Sequence, residues 1–262
     1  MKKIISFIIL CFLLKISFAQ DFSAYQKKEF IQGGDTLRYR ILYPEKYNPN
    51  KKYPVIIFLH GSGERGYDNE KQLTHGGSFF LESKERKKNK VIVIMPQCPP
   101  NNVWSTMKRR KDTTSYGLEI EFLINEKPTV PEYLVKLLAD SLVNAGKANP
   151  KRLYIGGLSL GGFGTYDLIN RYPGFFAAAF PICGLYDIDL FMKNASTTPI
   201  WIFHGSLDKV VSPNPDRELI KRLKAAGAKD AAYTEFPLAE HNSWDSTFAH
   251  PGVLKWVFKH SK

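Results

Sequence analysis

The chain has 262 residues, 44% of them hydrophobic and 24% charged, which is the balance of an ordinary globular protein and excludes disorder, a collagen-like chain or a small disulfide scaffold. A chain of this length buries roughly 70–75% of its unfolded surface and needs neither metal nor disulfide to fold. Lys and Arg number 37 against 25 Asp and Glu, a formal charge of +12.

The first residues read as a secretory signal peptide. Lys2 and Lys3 form a positive start, residues 4–14 an apolar run broken by Ser6 and Cys11, and Ser17-Phe18-Ala19 a small-x-small cleavage pattern with the cut after Ala19. The run is too short for a comfortable membrane span. Lipid anchoring through Cys11 is rejected because Leu10, before it, is large. Residues 20–262 are then expected to form one catalytic domain, exported to the periplasm or the medium and without a stable membrane anchor. The chain stays basic after cleavage, but an exported protein with no recognition motif beside its charge is not expected to bind nucleic acid. Cys98 and Cys183 remain, either paired as export permits or separately buried.

Residues 28–32 and 36–43 flank Gly33-Gly34-Asp35, a hairpin signal. In the second arm Leu37, Tyr39, Ile41 and Tyr43 alternate with Arg38 and Arg40, so one face is expected to be buried. Residues 55–59 form a continuous apolar run, as in strands of a parallel sheet covered on both faces, and similar runs recur at 91–95, 153–156, 177–182 and 200–203. Helical spacing falls between them: Leu134, Leu138 and Leu142 within 132–144, Leu219 and Leu223 within 215–226 ahead of Gly227 as a C-cap, and Val253, Trp256 and Val257 within 252–259. The alternation predicts an α/β fold, a mostly parallel twisted sheet with helices on both faces and an antiparallel N-terminal hairpin. The run from Lys84 to Lys90 reads as a solvated loop on the sheet edge away from the chemistry.

Residues 153–161 carry an apolar strand into Gly157-Leu158-Ser159-Leu160-Gly161, followed by a helical segment with Thr165, Tyr166, Leu168 and Ile169. This is the strand–turn–helix setting of a nucleophile elbow, in which small residues let a sharp turn project the serine above the sheet. Ser159 is therefore the expected nucleophile. In that architecture the acid and then the histidine follow the serine. Among the later histidines His260 lies two residues from the end and His250 precedes Pro251, whereas His241 sits in the polar loop after 233–236 and is the expected base. Asp208 follows the strand 200–203 on the edge that carries Ser159 and is the expected acid, to hold the tautomer of the histidine; Asp187 and Asp189, one loop earlier, are its rivals. Gly61 and Gly63 let the chain after strand 55–59 turn close to the serine, so the N–H groups of Ser62 and Leu160 are expected to bind an oxyanion, with His60 orienting the loop.

These motifs resemble the α/β-hydrolase superfamily. More narrowly they are similar to its secreted predicted-peptidase and esterase group, which is related to prolyl-oligopeptidase-like, feruloyl-esterase-like and polyhydroxybutyrate-depolymerase-like hydrolases. The matching segments are 60–66, Pro96-Gln97-Cys98-Pro99, 157–162, Pro181-Ile182-Cys183-Gly184, 204–208 and 241–244, and they span residues 53–258. The resemblance implies a serine hydrolase using neither cofactor nor metal. Too few residues precede the catalytic segment for the propeller of large prolyl-oligopeptidases, so an esterase acting on a carbohydrate or phenolic ester is expected, with a small molecule or polysaccharide as substrate. A serine peptidase and a non-catalytic binding module are the alternatives.

Loops that follow parallel strands share the edge that carries Ser159. The stretch 97–131 is long, holds Trp104, Tyr116 and Lys108-Arg109-Arg110-Lys111, and departs from the family's usual link. Its basic run either steers an anionic ester toward the cleft or is plain surface. Residues 184–198 hold Tyr186, Phe191 and Met192, and Trp244 lies three residues after His241. Trp104, Phe191 and Trp244 are expected to line an aromatic substrate rim.

Overall fold

A computed structural model describes residues 20–109 and 120–262. Residues 1–19, read above as a signal peptide, and Arg110, Lys111 and Tyr116 lie outside the described residues.

Strands β1 (Tyr25–Gln32) and β2 (Asp35–Leu42) pair antiparallel down to Gln32 opposite Asp35. That register leaves a two-residue loop, Gly33 and Gly34, at φ 62° and 90°, the doubly positive backbone of a hairpin turn that follows the twist of the strands. The hairpin begins earlier than expected, and its alternation is imperfect. Arg40 is buried because it donates to the carbonyls of Asn69 and Tyr25, at 2.6 and 2.7 Å.

Strand β3 (Tyr53–Leu59) leads through a short 3-10 turn at Ser62–Glu64 to helices α1 (Gly77–Glu82) and α2 (Lys84–Asn89). The expected loop at 84–90 is thus a helix. The Ser83 hydroxyl caps it by accepting from Arg86 N, and Arg86 turns inward, with Nη1 3.4 Å from Tyr43 O. After β4 (Ile92–Gln97) the long stretch contains a small antiparallel pair, β5 (Met107–Arg109) and β6 (Ile120–Phe122). Thr129 then opens α3 (Val130–Asn144) with a capping box shared with Glu132. The remainder alternates: β7 (Ala148–Leu158), α4 (Leu160–Arg171), β8 (Ala178–Ile182), α5 (Ile188–Asn194), β9 (Ile200–Gly205), α6 (Asn214–Ala225) and β10 (Ala231–Phe236), then α7 (Trp244–Ala249) and α8 (Val253–Val257). Helix α6 stops as expected. Gly227 takes φ 79°, Ala228 N donates to Leu223 O and Gly227 N to Lys224 O, the double bond pattern that satisfies the last carbonyls.

The strands form an eight-stranded sheet in the order β1-β2-β4-β3-β7-β8-β9-β10, parallel from β4 to β10. Alternate residues of β3 enter separate cores. Ile57 and Leu59 face Leu134, Leu138 and Leu168 from α3 and α4, while Ile56 and Phe58 face Phe80, Val253 and Val257 from α1 and α8. Both faces are therefore dry, which is why the central strands read as unbroken apolar runs. The carboxyl ends of β3, β7, β8, β9 and β10 share one edge, and the loops that follow them meet there.

Gly156 of β7 lies directly across from Phe180 of β8, and a Cβ at Gly156 would come within 2.4 Å of the Phe180 ring. Gly156→Ala is expected to lower stability by about 1–3 kcal/mol through overpacking. Phe180→Leu in the same chain should return part of that loss. Urea unfolding of the two single variants and the double variant measures this coupling, which additivity would disprove.

Candidate active site

Strand β7 ends against helix α4 at a turn with no room for side chains. A Cβ on Gly157 would lie 2.4 Å from Gly161 O, and one on Gly161 would lie 2.0 Å from Leu59 O. Between them Ser159 takes φ 52°, ψ −117°, a left-handed conformation that is strained for any residue with a side chain. Its N–H donates to Ile182 O at 2.9 Å, which ties the turn to β8.

His241 and Asp208 reach this serine from two loops that are stitched together. Ser206 N donates to Phe236 O, Leu207 N to Ala239 O and Leu238 N to Ser206 Oγ. Gly205 permits the approach, since a Cβ there would meet Glu240 O at 2.3 Å. The resulting line is short: Ser159 Oγ to His241 Nε2 is 2.9 Å, and His241 Nδ1 to Asp208 Oδ2 is 2.7 Å. An ionised carboxylate only accepts, so Nδ1 carries the proton and Nε2 is left to accept from the serine hydroxyl. The two rival acids are otherwise engaged. Asp187 caps α5 by accepting from Leu190 N, and Asp189 pairs with Arg222 at 2.8 Å.

Asp208 is held from beneath by residues to which the sequence reading assigned no role. Its Oδ1 accepts from Val210 N and Val211 N, both at 2.9 Å. Its Oδ2 lies 3.3 Å from Nε2 of the fully buried His204. That ring also places Nδ1 2.7 Å from Asp216 Oδ2 and Nε2 3.0 Å from Val211 O. Both nitrogens face pure acceptors, so both carry protons and His204 is an imidazolium. Burial works against that charge, but the hydrogen bonds to Asp208 and Asp216 outweigh it and push the group up to about 9. Asp216 is steadied in turn by the Tyr166 hydroxyl, which donates to Oδ1 at 2.6 Å. For Asp208, burial favours the neutral acid, yet the bonds from His204 and His241 and the Val211 amide hold it well below the usual carboxylate range. The available signal was local: His204 stands four residues before Asp208, at the end of the strand that leads into its loop.

The loop after β3 is bolted by a neutral histidine. Cys98 N donates to His60 Nε2 at 2.9 Å, so the proton sits on Nδ1, which donates to Gly61 O at 2.6 Å. Burial pushes His60 down to about 4, in keeping with that neutral form. Gly61 packs on Leu158, where a Cβ would meet Cδ1 at 2.9 Å, so Ser62 follows beside the nucleophile turn, its carbonyl held by Arg65 Nε at 3.0 Å. Leu160 is the first residue of α4, and a first-turn amide has no partner within its helix.

Two of the three expected rim residues are not at a rim. Trp104 is fully buried: its indole N–H donates to His60 O at 3.0 Å, and its Cβ packs where Gly164 leaves space, so it braces the loop from below. Phe191 is fully buried because α5 turns it inward onto Tyr166, ring centroids 5.8 Å apart. Tyr186 is likewise internal and donates to Asp167 at 2.9 Å. Trp244 alone stays at the surface, half-buried and edge-on to His241 at 5.6 Å. Of the basic run, Lys108 is exposed and lies 3.7 Å from Glu126, and Arg109 closes β5.

Cys98 and Cys183 are separate buried thiols. Ligand atoms of Cys183, Asp208 and His241 lie within 4.8 Å of one another. They do not suit a cation: Asp208 and His241 already bind each other, and burial raises the Cys183 thiol far above its ordinary range, which keeps it protonated.

A serine, histidine and carboxylate in line above a mostly parallel sheet define a serine hydrolase on the α/β-hydrolase fold. The chain belongs to the esterase family described as "Putative esterase", which matches residues 33–241. It is thus a hydrolase of the carboxylesterase kind. It is 26% identical over 260 residues to a poly(3-hydroxyoctanoate) depolymerase of Pseudomonas fluorescens, covering 92% of this chain and 86% of that one. It is 26% identical over 182 residues to the carboxylesterase SOBER1 of Arabidopsis thaliana, covering 66% and 76%. Among solved structures, a thermostable esterase superposes with TM-score 0.79 at 32% identity over 92% of this chain, which spans 64% of that esterase. A ferulic acid esterase shares the fold, with TM-score 0.67 at 14% identity over 90% of this chain and 97% of that one.

The His204 charge makes stability depend on pH. A histidine held at about 9 when folded, against 6.5 unfolded, stabilises fully below 6.5, and that contribution is lost as pH rises through about 9. The urea midpoint is therefore expected to fall between pH 6.5 and 9. Asp216→Asn should lower the midpoint at pH 6 and flatten the fall; an unchanged slope would show that His204 is not the group responsible.

Proposed function

We propose that the protein is an exported carboxylic-ester hydrolase that works through an acyl-enzyme on carbohydrate or phenolic esters. The observation that carries this reading is the unbroken hydrogen-bonded line from Ser159 Oγ through His241 to Asp208. Ser159 Oγ attacks the ester carbonyl as His241 Nε2 takes its proton. The N–H groups of Ser62 and Leu160 meet the developing oxyanion, and the amino end of α4 adds its dipole. Asp208, kept anionic by His204, stabilises the imidazolium that forms. His241 then protonates the departing alkoxide, and water, activated by the same nitrogen, releases the acid. The strained turn of Ser159 fits this role, since it holds the hydroxyl clear of the helix that follows.

The ester class rests on the company the chain keeps: relatives named for a polyester depolymerase and a carboxylesterase, and a shared fold with a ferulic acid esterase. Export rests on residues 1–19, and mass spectrometry of the protein recovered from its native host should find an N-terminus at Gln20. An intact Met1 in the mature protein would remove that part of the proposal.

Ser159→Ala should lower p-nitrophenyl acetate turnover on the order of 10⁴–10⁶-fold and abolish fluorophosphonate labelling with the fold intact by circular dichroism. Asp208→Asn should lower kcat by orders of magnitude, whereas Asp187→Asn should not. Labelling at another serine, or the reverse order of the two aspartates, would overturn the assignment.

A further inference from the structure

One carboxylate beside the nucleophile has no part in the chemistry above. Glu64 ends the 3-10 turn of the loop after β3, and its Oε2 lies 3.1 Å from where a Cβ of Gly61 would stand. Its side chain is only 12% exposed, yet no group among the described residues donates a hydrogen bond to it. Its one ionisable partner within 4 Å among the described residues is His75, whose Nε2 is 3.7 Å from Oε1, beyond hydrogen-bonding distance. Its backbone is fixed, because Gln97 Nε2 donates to the Glu64 carbonyl at 3.1 Å. A shielded carboxylate on a fixed backbone, with open lone pairs, is poised to accept from a ligand.

Its place relative to the reaction says which part of the ligand. His241 protonates the departing alkoxide, so the alcohol of the ester leaves on the His241 side. That side is lined in sequence by rings: Trp244 stands edge-on to His241 at 5.6 Å, and His75 lies 5.1 Å beyond Trp244 and adjoins Glu64. His75 also lines a groove of about 600 Å³ together with Phe79, Phe248, Asp245, Glu82 and Lys84. A half-buried indole, a carboxylate that accepts, an imidazole that donates or accepts, and a groove of rings and polar side chains beside them make a surface for a molecule with apolar C–H faces and many hydroxyls.

We infer that Glu64 and His75, with Trp244, form an alcohol-side subsite that selects esters of a polyhydroxylated, sugar-like alcohol. The inference rests on the esterase reading above and narrows it to the alcohol. Two hydroxyls donate to the Glu64 carboxylate while the ring packs against Trp244. An anionic alcohol is disfavoured by the same carboxylate.

The test compares two acetates of similar size, 6-O-acetylglucose and cyclohexylmethyl acetate, which lacks the hydroxyls, with p-nitrophenyl acetate as a general reporter and acetylcholine as a cationic ester. The wild-type protein should favour the sugar ester by at least about tenfold in kcat/KM. Glu64→Gln keeps the shape and removes the charge. It should reduce that preference about tenfold, mainly through KM, as expected when a charge-assisted hydrogen bond becomes a neutral one. His75→Leu should reduce it in the same direction. Equal rates for the two acetates, or an equal loss of both in Glu64→Gln, would overturn the subsite and leave the esterase reading standing. A loss confined to acetylcholine would overturn it in favour of a cationic alcohol. Failure of the wild-type protein to hydrolyse any of the four esters would overturn both.

Discussion

Ser159 occupies a backbone conformation that an isolated peptide would avoid, and the close approach of β7, β3 and α4 keeps it there. Gly157 and Gly161 bring backbone against backbone at distances that exclude even a methyl group. The Ser159 amide is tied to β8, and its carbonyl accepts from Phe163 in the first turn of α4. The strain is thus held by the centre of the sheet and the helix that crosses it. The hydroxyl projects where loops from neighbouring strands can reach it, and the first amides of α4 have no partner within their own helix.

The second constraint is electrostatic. A buried carboxylate at Asp208 is useful only while it is ionised, and burial alone would neutralise it. His204 supplies the opposing charge from inside the fold, and Asp216 with Tyr166 keeps His204 protonated. The chain of groups therefore runs deeper than serine, histidine and acid, ending between β9, α6 and α4. Because Gly205 lets the loops after β9 and β10 pass in contact, the same few residues position His241 and charge its partner.

Polar and aromatic groups around the site divide by what they satisfy. Trp104 has an indole N–H that needs an acceptor and finds it in the His60 carbonyl, so it becomes a brace. Phe191 has no polar atom to satisfy and is drawn into the core. Trp244, at the start of a short helix on the outer face, remains beside His241. Glu64 is the opposite case, a largely shielded carboxylate beside Gly61 to which no group among the described residues donates a hydrogen bond.

The sequence by itself determined the α/β order of elements, the hairpin through its two glycines, the stop of α6 at Gly227, and the motifs that bring Ser159, Asp208 and His241 to one edge. Each of these is a local signal: apolar runs with a period, glycines where φ must be positive, and loops whose side of a parallel sheet follows from chain direction. It did not reveal that 84–89 is a helix, because the run of Lys and Glu masks the inward turn of Arg86. Nor did it place Trp104 and Phe191, assign the charge of His204, or join Glu64 to His75 and Trp244. Those depend on which residues from distant segments become neighbours, since whether a ring is buried or a histidine protonated is decided by the donors and acceptors packed around it. Only the tertiary structure brings these groups together.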